Sequence, residues 1–182
     1  MTDTNAILRD TSTTMCFVDF KNKRYCCTFP STLEERKWLI DNGFVAIDEA
    51  IAAPIIALND NGCETQYCCS GHLGQMGSLY IVFTKISEEI DSKFRKTRLW
   101  GKTVDEYDRV VWRAKIPTLK DWRFALDELY NIVDGLDDNF EQYVKLIVGY
   151  KGNNTDRVFV KQSDIDSYCE KRLDTLLYAQ ID

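Results

Sequence analysis

Seven cysteines and one histidine supply most of the nucleophilic and soft-metal chemistry open to this 182-residue chain, and they are unevenly spread. Cys63, Cys68, Cys69 and His72 fall within ten residues, around the stretch Thr65-Gln66-Tyr67-Cys68-Cys69-Ser70-Gly71-His72. A cysteine and a histidine three residues apart suit three arrangements: a thiol nucleophile beside its base, two ligands of a soft metal, or a packed turn whose side chains only bond the loop. No Cys-x-x-Cys pair accompanies them, which weakens the zinc reading. A metal site would have to be assembled from Cys26 or Cys27, Cys68 or Cys69, and His72. The residues singled out here as ligand- or partner-binding are Cys69, Ser70, Gly71 and His72. No catalytic residue, metal ligand or cofactor is assigned.

The neighbouring residues must hold this stretch in place. Ile51, Ile55 and Leu58 lie on one face of a helix that Asp48 is placed to cap and Asn61-Gly62 to stop. Pro54 predicts a kink or a later start in that helix. Glu64 to Cys69 reads as a strand, Ser70-Gly71 breaks it, and Leu79 to Phe83 returns as a buried strand. Cys69, Ser70, the Gly71 backbone and His72 would therefore sit at a strand mouth. Gly71, Gly74 and Gly77 add backbone donors to the connecting loop.

A second cluster is basic. Ser87 caps a helix with Glu88 and Glu89 in its first turn, and Lys93, Arg95, Lys96, Arg98 and Lys102 follow among Phe94, Leu99 and Trp100. Lys96, Arg98 and Trp100 are the further candidates for contact with a ligand or partner, and this local patch is where nucleic acid would meet the chain. The competing expectation is a solvated helix end with Trp100 packed inward.

The rest of the chain supplies scaffold. Residues 15–20 and 24–29 read as a hairpin, and Pro30-Ser31-Thr32 opens a helix that Asn42-Gly43 stops. Residues 109–116 read as a strand. Leu119, Trp122, Leu126, Leu129, Tyr130 and Val133 recur at helical spacing after Thr118. Residues 143–150 and 157–161 form a second hairpin, and a last helix starts near Ser163. Helix, two strands, helix thus occurs over 48–96 and again over 118–179. This predicts an α+β fold, a mixed or antiparallel sheet flanked by helices, divisible into two helix-strand-strand-helix halves. Residues 1–182 are expected to form one compact domain, with 1–14 as a loose arm.

Composition narrows the function. A formal charge of −6 argues against a general nucleic-acid-binding surface and suits steering toward a basic protein groove. No signal peptide or membrane span is evident. An odd cysteine count with two adjacent pairs suits thiols in a reducing cytoplasm. Walker A, dinucleotide, HExxH and GxSxG motifs are all missing from the sequence.

The segment from Pro54-Ile55-Ile56-Ala57-Leu58-Asn59 through Cys68-Cys69-Ser70-Gly71-His72 to Tyr80-Ile81-Val82-Phe83 resembles small proteins of phages and other mobile elements of Gram-positive bacteria. These carry Leu-Asn, Gly, Thr and Cys-Ser-Gly-His at similar spacing. Cys68-Cys69-Ser70-Gly71 is also similar in part to a Ser-Cys-Ser-Gly-Arg motif of the wybutosine-synthesis tRNA methyltransferases. His72 stands here in place of the arginine, and that family's other motifs are missing. The first resemblance implies a binding protein, of anti-CRISPR type, that inhibits a bacterial defence system in the host cytoplasm. Its expected partner is a host defence protein such as a CRISPR effector nuclease with its guide RNA. The alternative is a Cys/His-dependent enzyme or nucleotide-binding protein acting through Cys69-Ser70-Gly71-His72, which requires a lowered thiol pKa.

Overall fold

The computed structural model describes residues 15–27, 33–71, 78–151 and 154–167. The fold is α+β. Strands β1 (Met15–Asp19), β2 (Arg24–Cys27), β3 (Val45–Asp48), β8 (Glu141–Lys151) and β9 (Asn154–Lys161) form one five-stranded sheet in the order β3-β1-β2-β8-β9. It is mixed, because β2 and β8 run parallel while the other pairs are antiparallel. Strands β4 (Glu64–Cys69), β5 (Ser78–Lys85), β6 (Trp100–Val104) and β7 (Val110–Lys115) form a second, wholly antiparallel sheet in the order β4-β5-β7-β6. The strand material therefore divides between two sheets instead of sharing one.

Among the described residues the helices are α1 (Leu33–Asp41), α2 (Glu49–Asp60), α3 (Glu88–Arg95) and α4 (Leu119–Val133), with a 3-10 turn at Gln162–Asp164 and helical backbone over 165–167. Helix α2 is apolar nearly all round, as a helix buried on several sides must be. Ile51, Ala52, Pro54, Ile55, Ile56, Ala57 and Leu58 are all buried. One core cluster joins Ile51, Ala52, Ile55, Ile56 and Leu58 to Cys16 and Val18 of the mixed sheet, to Leu79, Ile81, Phe83, Trp112 and Ala114 of the antiparallel sheet, and to Ala125, Leu129 and Ile132 of α4. Strand alternation turns Phe17 the other way, onto Leu39 of α1 and Phe44.

The ends of these elements follow from local chemistry. Ser87 Oγ accepts from the Ile90 N–H at 3.3 Å, and Thr118 Oγ1 accepts from the Asp121 N–H at 3.2 Å. Gly62 closes α2 with φ +79°, where a side chain would be strained. Pro54 neither ends α2 nor delays its start, since the helix runs from Glu49 to Asp60 with the proline inside it. The Ala50 carbonyl, which Pro54 cannot serve with an N–H, instead accepts from the Tyr130 hydroxyl of α4 at 3.3 Å.

Four expectations are corrected or fall outside. Asp48 stands at the N-cap position of α2 but makes no side-chain cap bond there. The strands β3 and β6 replace what read as connecting or helix-end sequence. Of Leu119, Trp122, Leu126 and Leu129, whose helical spacing predicts a core-facing row, Leu129 is buried, Trp122 and Leu126 are only partly buried against the core, and Leu119 is half-buried. The 1–14 arm, the start of the first helix at 30–32 and the last helix beyond Ser167 lie outside the described residues.

Candidate functional site

Cys69 ends β4, and Ser70 and Gly71 follow at the junction of three elements. The Ser70 N–H donates to Asp48 Oδ2 at 2.7 Å. This is the bond that occupies Asp48 in place of helix capping, and it ties the end of β3 to the end of β4. On the other side the Trp122 indole donates its Nε1–H to the Ser70 carbonyl at 2.7 Å, bringing α4 onto the same residue. Ser70 is fully buried, and among the described residues its Oγ has no hydrogen-bond partner. Gly71 adopts φ +83°, and a Cβ there would stand 2.3 Å from Ile116 Cδ1. The turn is a packed junction with backbone bonds at both faces. His72 lies outside the described residues.

The thiols are tuned away from reactivity. Burial, the Asp48 charge and the Cys69 charge push the Cys68 thiol up to about 12. The Cys69 thiol is also raised, chiefly by burial and further by the charge and hydrogen bonding of Asp48. The Gly71 N–H, which donates to Cys69 Sγ at 3.4 Å, opposes this without reversing it. A thiolate nucleophile needs the opposite environment. The lowered thiol pKa required by the enzyme reading is therefore not found at Cys69.

Residues upstream lock the same unit. Asn59 donates from Nδ2 to the Thr65 hydroxyl at 2.8 Å, and the Thr65 N–H donates to Asn59 Oδ1 at 3.2 Å. These paired bonds fasten the last turn of α2 to the first residues of β4. Leu58 is fully buried beneath them. Leu58, Asn59, Gly62, Thr65, Ser70 and Gly71 thus all have structural work within one α2-β4 hairpin.

No family model, no curated protein and no solved structure matches this chain.

The basic cluster is mostly spoken for. Asp91 of α3, with a side chain largely buried, accepts from Arg95 Nε and Nη2 on one oxygen and from Lys102 Nζ and Trp112 Nε1 on the other. Burial alone would raise its pKa, but the bonds from Lys102, Arg95 and Trp112 outweigh that and hold the carboxyl below its ordinary value. Lys93 donates to the Ile132 carbonyl at 3.2 Å. Trp100 is corrected as a contact residue: it is 5% exposed, and its indole donates to the Ala125 carbonyl at 3.1 Å. Its ring meets Phe94 edge to face, so it cannot stack on an outside partner. Lys96 and Arg98 remain exposed, Arg98 with its guanidinium 5.4 Å from the Phe124 ring centroid.

The two candidate clusters do not meet. Cys69 lies on β4 and Trp100 on β6, the opposite edges of the antiparallel sheet. Three strand spacings of roughly 4.8 Å separate those edges. Sequence reading missed Asp91, which organises the cations around itself. It also missed an arginine–tyrosine face on the same sheet. Arg109 sits between Tyr67 and Tyr107, with its guanidinium 5.4 and 4.7 Å from their ring centroids, and Arg113 lies 5.5 Å from the Tyr80 centroid. Arg109, Arg113 and Lys115 share one strand face in 109–116, which is the local signal, but Tyr67 and Tyr80 come from other strands.

Among the described residues, no three His, Cys, Asp or Glu side chains are grouped to hold a metal ion, and no helix is long and apolar enough to cross a membrane.

Proposed function

We propose that this chain is a binding protein of a phage or other mobile element that inhibits a bacterial defence system from within the host cytoplasm. The partner class is a host defence protein, foremost a CRISPR effector nuclease carrying its guide RNA. The observation that carries the binding reading is the closed Cys69-Ser70-Gly71 junction. Its thiol is raised by burial, its serine is fully buried, and its backbone is bonded to Asp48 and Trp122. A stretch built this way serves architecture, which leaves the surface to carry function. The anti-defence role itself rests on the resemblance of residues 54–83 to mobile-element proteins. The net charge of −6 supports it, because an acidic protein is steered into the basic channel of a nucleic-acid enzyme.

The test is interference and capture in one strain. Expression of the chain should lower the targeting efficiency of an active CRISPR system, and the tagged chain should retain the effector from nuclease-treated lysate. Unchanged targeting with no retained effector, across the defence systems tried, would sink the anti-defence role.

A further inference from the structure

One face of the antiparallel sheet packs into the core. Leu79, Ile81, Phe83, Trp112, Ala114 and Trp100 point inward and are buried. The register sets the opposite row: Cys69 pairs with Tyr80, Tyr80 with Arg113, and Arg113 with Gly101. The next row is Tyr67, Val82, Val111 and Thr103, of which Val82 and Val111 are themselves buried, so the exposed part of the face is made by the tyrosines and cations around them. Tyr67 is 54% exposed and Tyr107 68% exposed, and Arg113 and Lys115 are exposed beside them.

We infer that this outward face is a stacking platform for single-stranded nucleic acid, formed by Tyr67, Tyr80, Tyr107, Arg109, Arg113 and Lys115. Three properties converge on that ligand. Tyrosine rings on a sheet present flat π-faces, on which bases stack with little regard to sequence. Arginines already stacked on those rings are held for phosphate contact or for stacking on a base. The charge of the face is also opposite to that of the chain. By register none of the outward strand positions is Asp or Glu. Asp105, in the turn after β6, pairs with Arg109 at 2.6 Å, and Asp48 at the rim accepts from the Ser70 N–H. Among the described residues no salt bridge engages Arg113 or Lys115. In a chain of charge −6, two exposed cations beside three tyrosines are complementary to phosphate and bases, and not to the basic groove proposed for the rest of the surface.

The Tyr67–Arg109–Tyr107 stack is held in register from below. Asp105 accepts from the backbone N–H groups of Tyr107 and Arg109 and from Arg109 Nε, while Gln66 accepts from Arg109 Nη1. The guanidinium plane is thus fixed before any ligand arrives, which lowers the ordering cost of binding.

The inference goes beyond the anti-defence reading and stands without it. The test is fluorescence anisotropy of labelled oligouridylate and oligothymidylate of about 12 nucleotides, within the site size of such platforms, with a duplex of the same length as control. Binding is expected at low salt with Kd in the range of about 1–100 µM, weakening as salt rises. The single strands should bind more tightly than the duplex. Tyr67→Ala and Arg113→Glu should each weaken binding about tenfold, whereas Lys37→Glu, at an exposed position of α1 outside this face, should leave it unchanged. Circular dichroism melts check that each variant is folded, and Arg113→Glu changes an exposed side chain, so one informative variant remains if Tyr67→Ala unfolds. No anisotropy change up to about 100 µM protein at low salt, or binding that the face variants leave intact, overturns the proposal. So does a face whose variants lose a captured protein while no oligonucleotide binds, which would make it a protein-docking surface. Oligonucleotide binding in a chain that never inhibits defence counts against the anti-defence role alone.

Discussion

The Trp122 indole and the Ser70 carbonyl, 52 residues apart in the chain, are joined by a hydrogen bond of 2.7 Å. It is the link between α4 and the turn that ends β4, and it accounts for a tryptophan only partly buried on an otherwise apolar helix face. Trp122→Phe keeps most of the ring and removes the donor. It should cost about 1–3 kcal/mol, since a carbonyl in a buried turn is left without its partner. Urea denaturation of the two proteins measures the loss. An unchanged midpoint would show that water replaces the indole at no cost.

Gly71 should be intolerant for two separable reasons. Its φ of +83° strains any L side chain, and its missing Cβ would meet Ile116 Cδ1 at 2.3 Å. Gly71→Ala should therefore destabilise by about 1–3 kcal/mol from strain plus about 1–3 kcal/mol from overpacking. Ile116→Val deletes the offending methyl. In the Gly71→Ala background it should recover part of the loss, whereas alone it should cost about 1 kcal/mol. A double-mutant cycle with no coupling would mean that the backbone, and not Ile116, sets the penalty.

Much of this scaffold is legible from residue order alone, because it depends on near neighbours. The periodicity of α4, the caps Ser87 and Thr118 and the stop at Gly62 are local signals, and local physics decides them. Strands β3 and β6 are harder to read: one is four residues long, and the other carries Gly101 and Lys102 on a sheet edge. Asp48 sits where a cap belongs, and only the tertiary position of Ser70 explains why its carboxylate turns away. Asp91 reads as one of several acids on a helix start, yet it is drawn inward by Lys102, Arg95 and Trp112, which arrive from three elements. The arginine–tyrosine face is the extreme case. Tyr67, Tyr80 and Arg113 are distant in the chain and become neighbours only through strand register.

The raised thiols make a chemical prediction. Cys68, pushed up to about 12, should resist alkylation through neutral and mildly alkaline pH, and Cys69 should react more slowly than a simple thiol at neutral pH. Timed alkylation of the native protein, read residue by residue by mass spectrometry, checks both. The linked stability effect has a definite sign. The unfolded Cys68 thiol ionises near its ordinary 9.0, whereas the folded one holds its proton to about 12. Stability from this group is therefore present below pH 9.0 and is lost as pH rises toward 12. A Cys69 that reacts faster than a simple thiol at neutral pH would reopen the nucleophile reading.

Asp91 predicts the acid side. Its folded carboxyl titrates below the ordinary 3.8, so its contribution is complete above 3.8 and disappears as pH falls through the lower folded value. Asp91→Asn should destabilise at neutral pH by about 3 kcal/mol, because Lys102 and Arg95 lose their shared charge partner. The gap between variant and parent should narrow as pH falls below 3.8. Chemical denaturation repeated across acid pH gives both numbers. A gap independent of pH would assign the cost to packing instead of charge.

Pro54 and Tyr130 allow the sharpest separation of cause. A proline inside a helix removes one N–H and orphans the carbonyl four residues earlier, here that of Ala50. The Tyr130 hydroxyl reaches that carbonyl at 3.3 Å from α4, so the defect in one helix becomes a contact between two. Tyr130→Phe should therefore cost about 1 kcal/mol in the parent chain. In Pro54→Ala the residue 54 N–H returns to the Ala50 carbonyl, and Tyr130→Phe should then cost less than in the parent, whatever Pro54→Ala does by itself through lost ring packing. Only the difference between the two Tyr130→Phe effects matters, which is why the cycle is insensitive to the cavity left by the proline. Equal effects in both backgrounds would show that the hydroxyl bond is incidental and that α2 tolerates its proline through core burial alone.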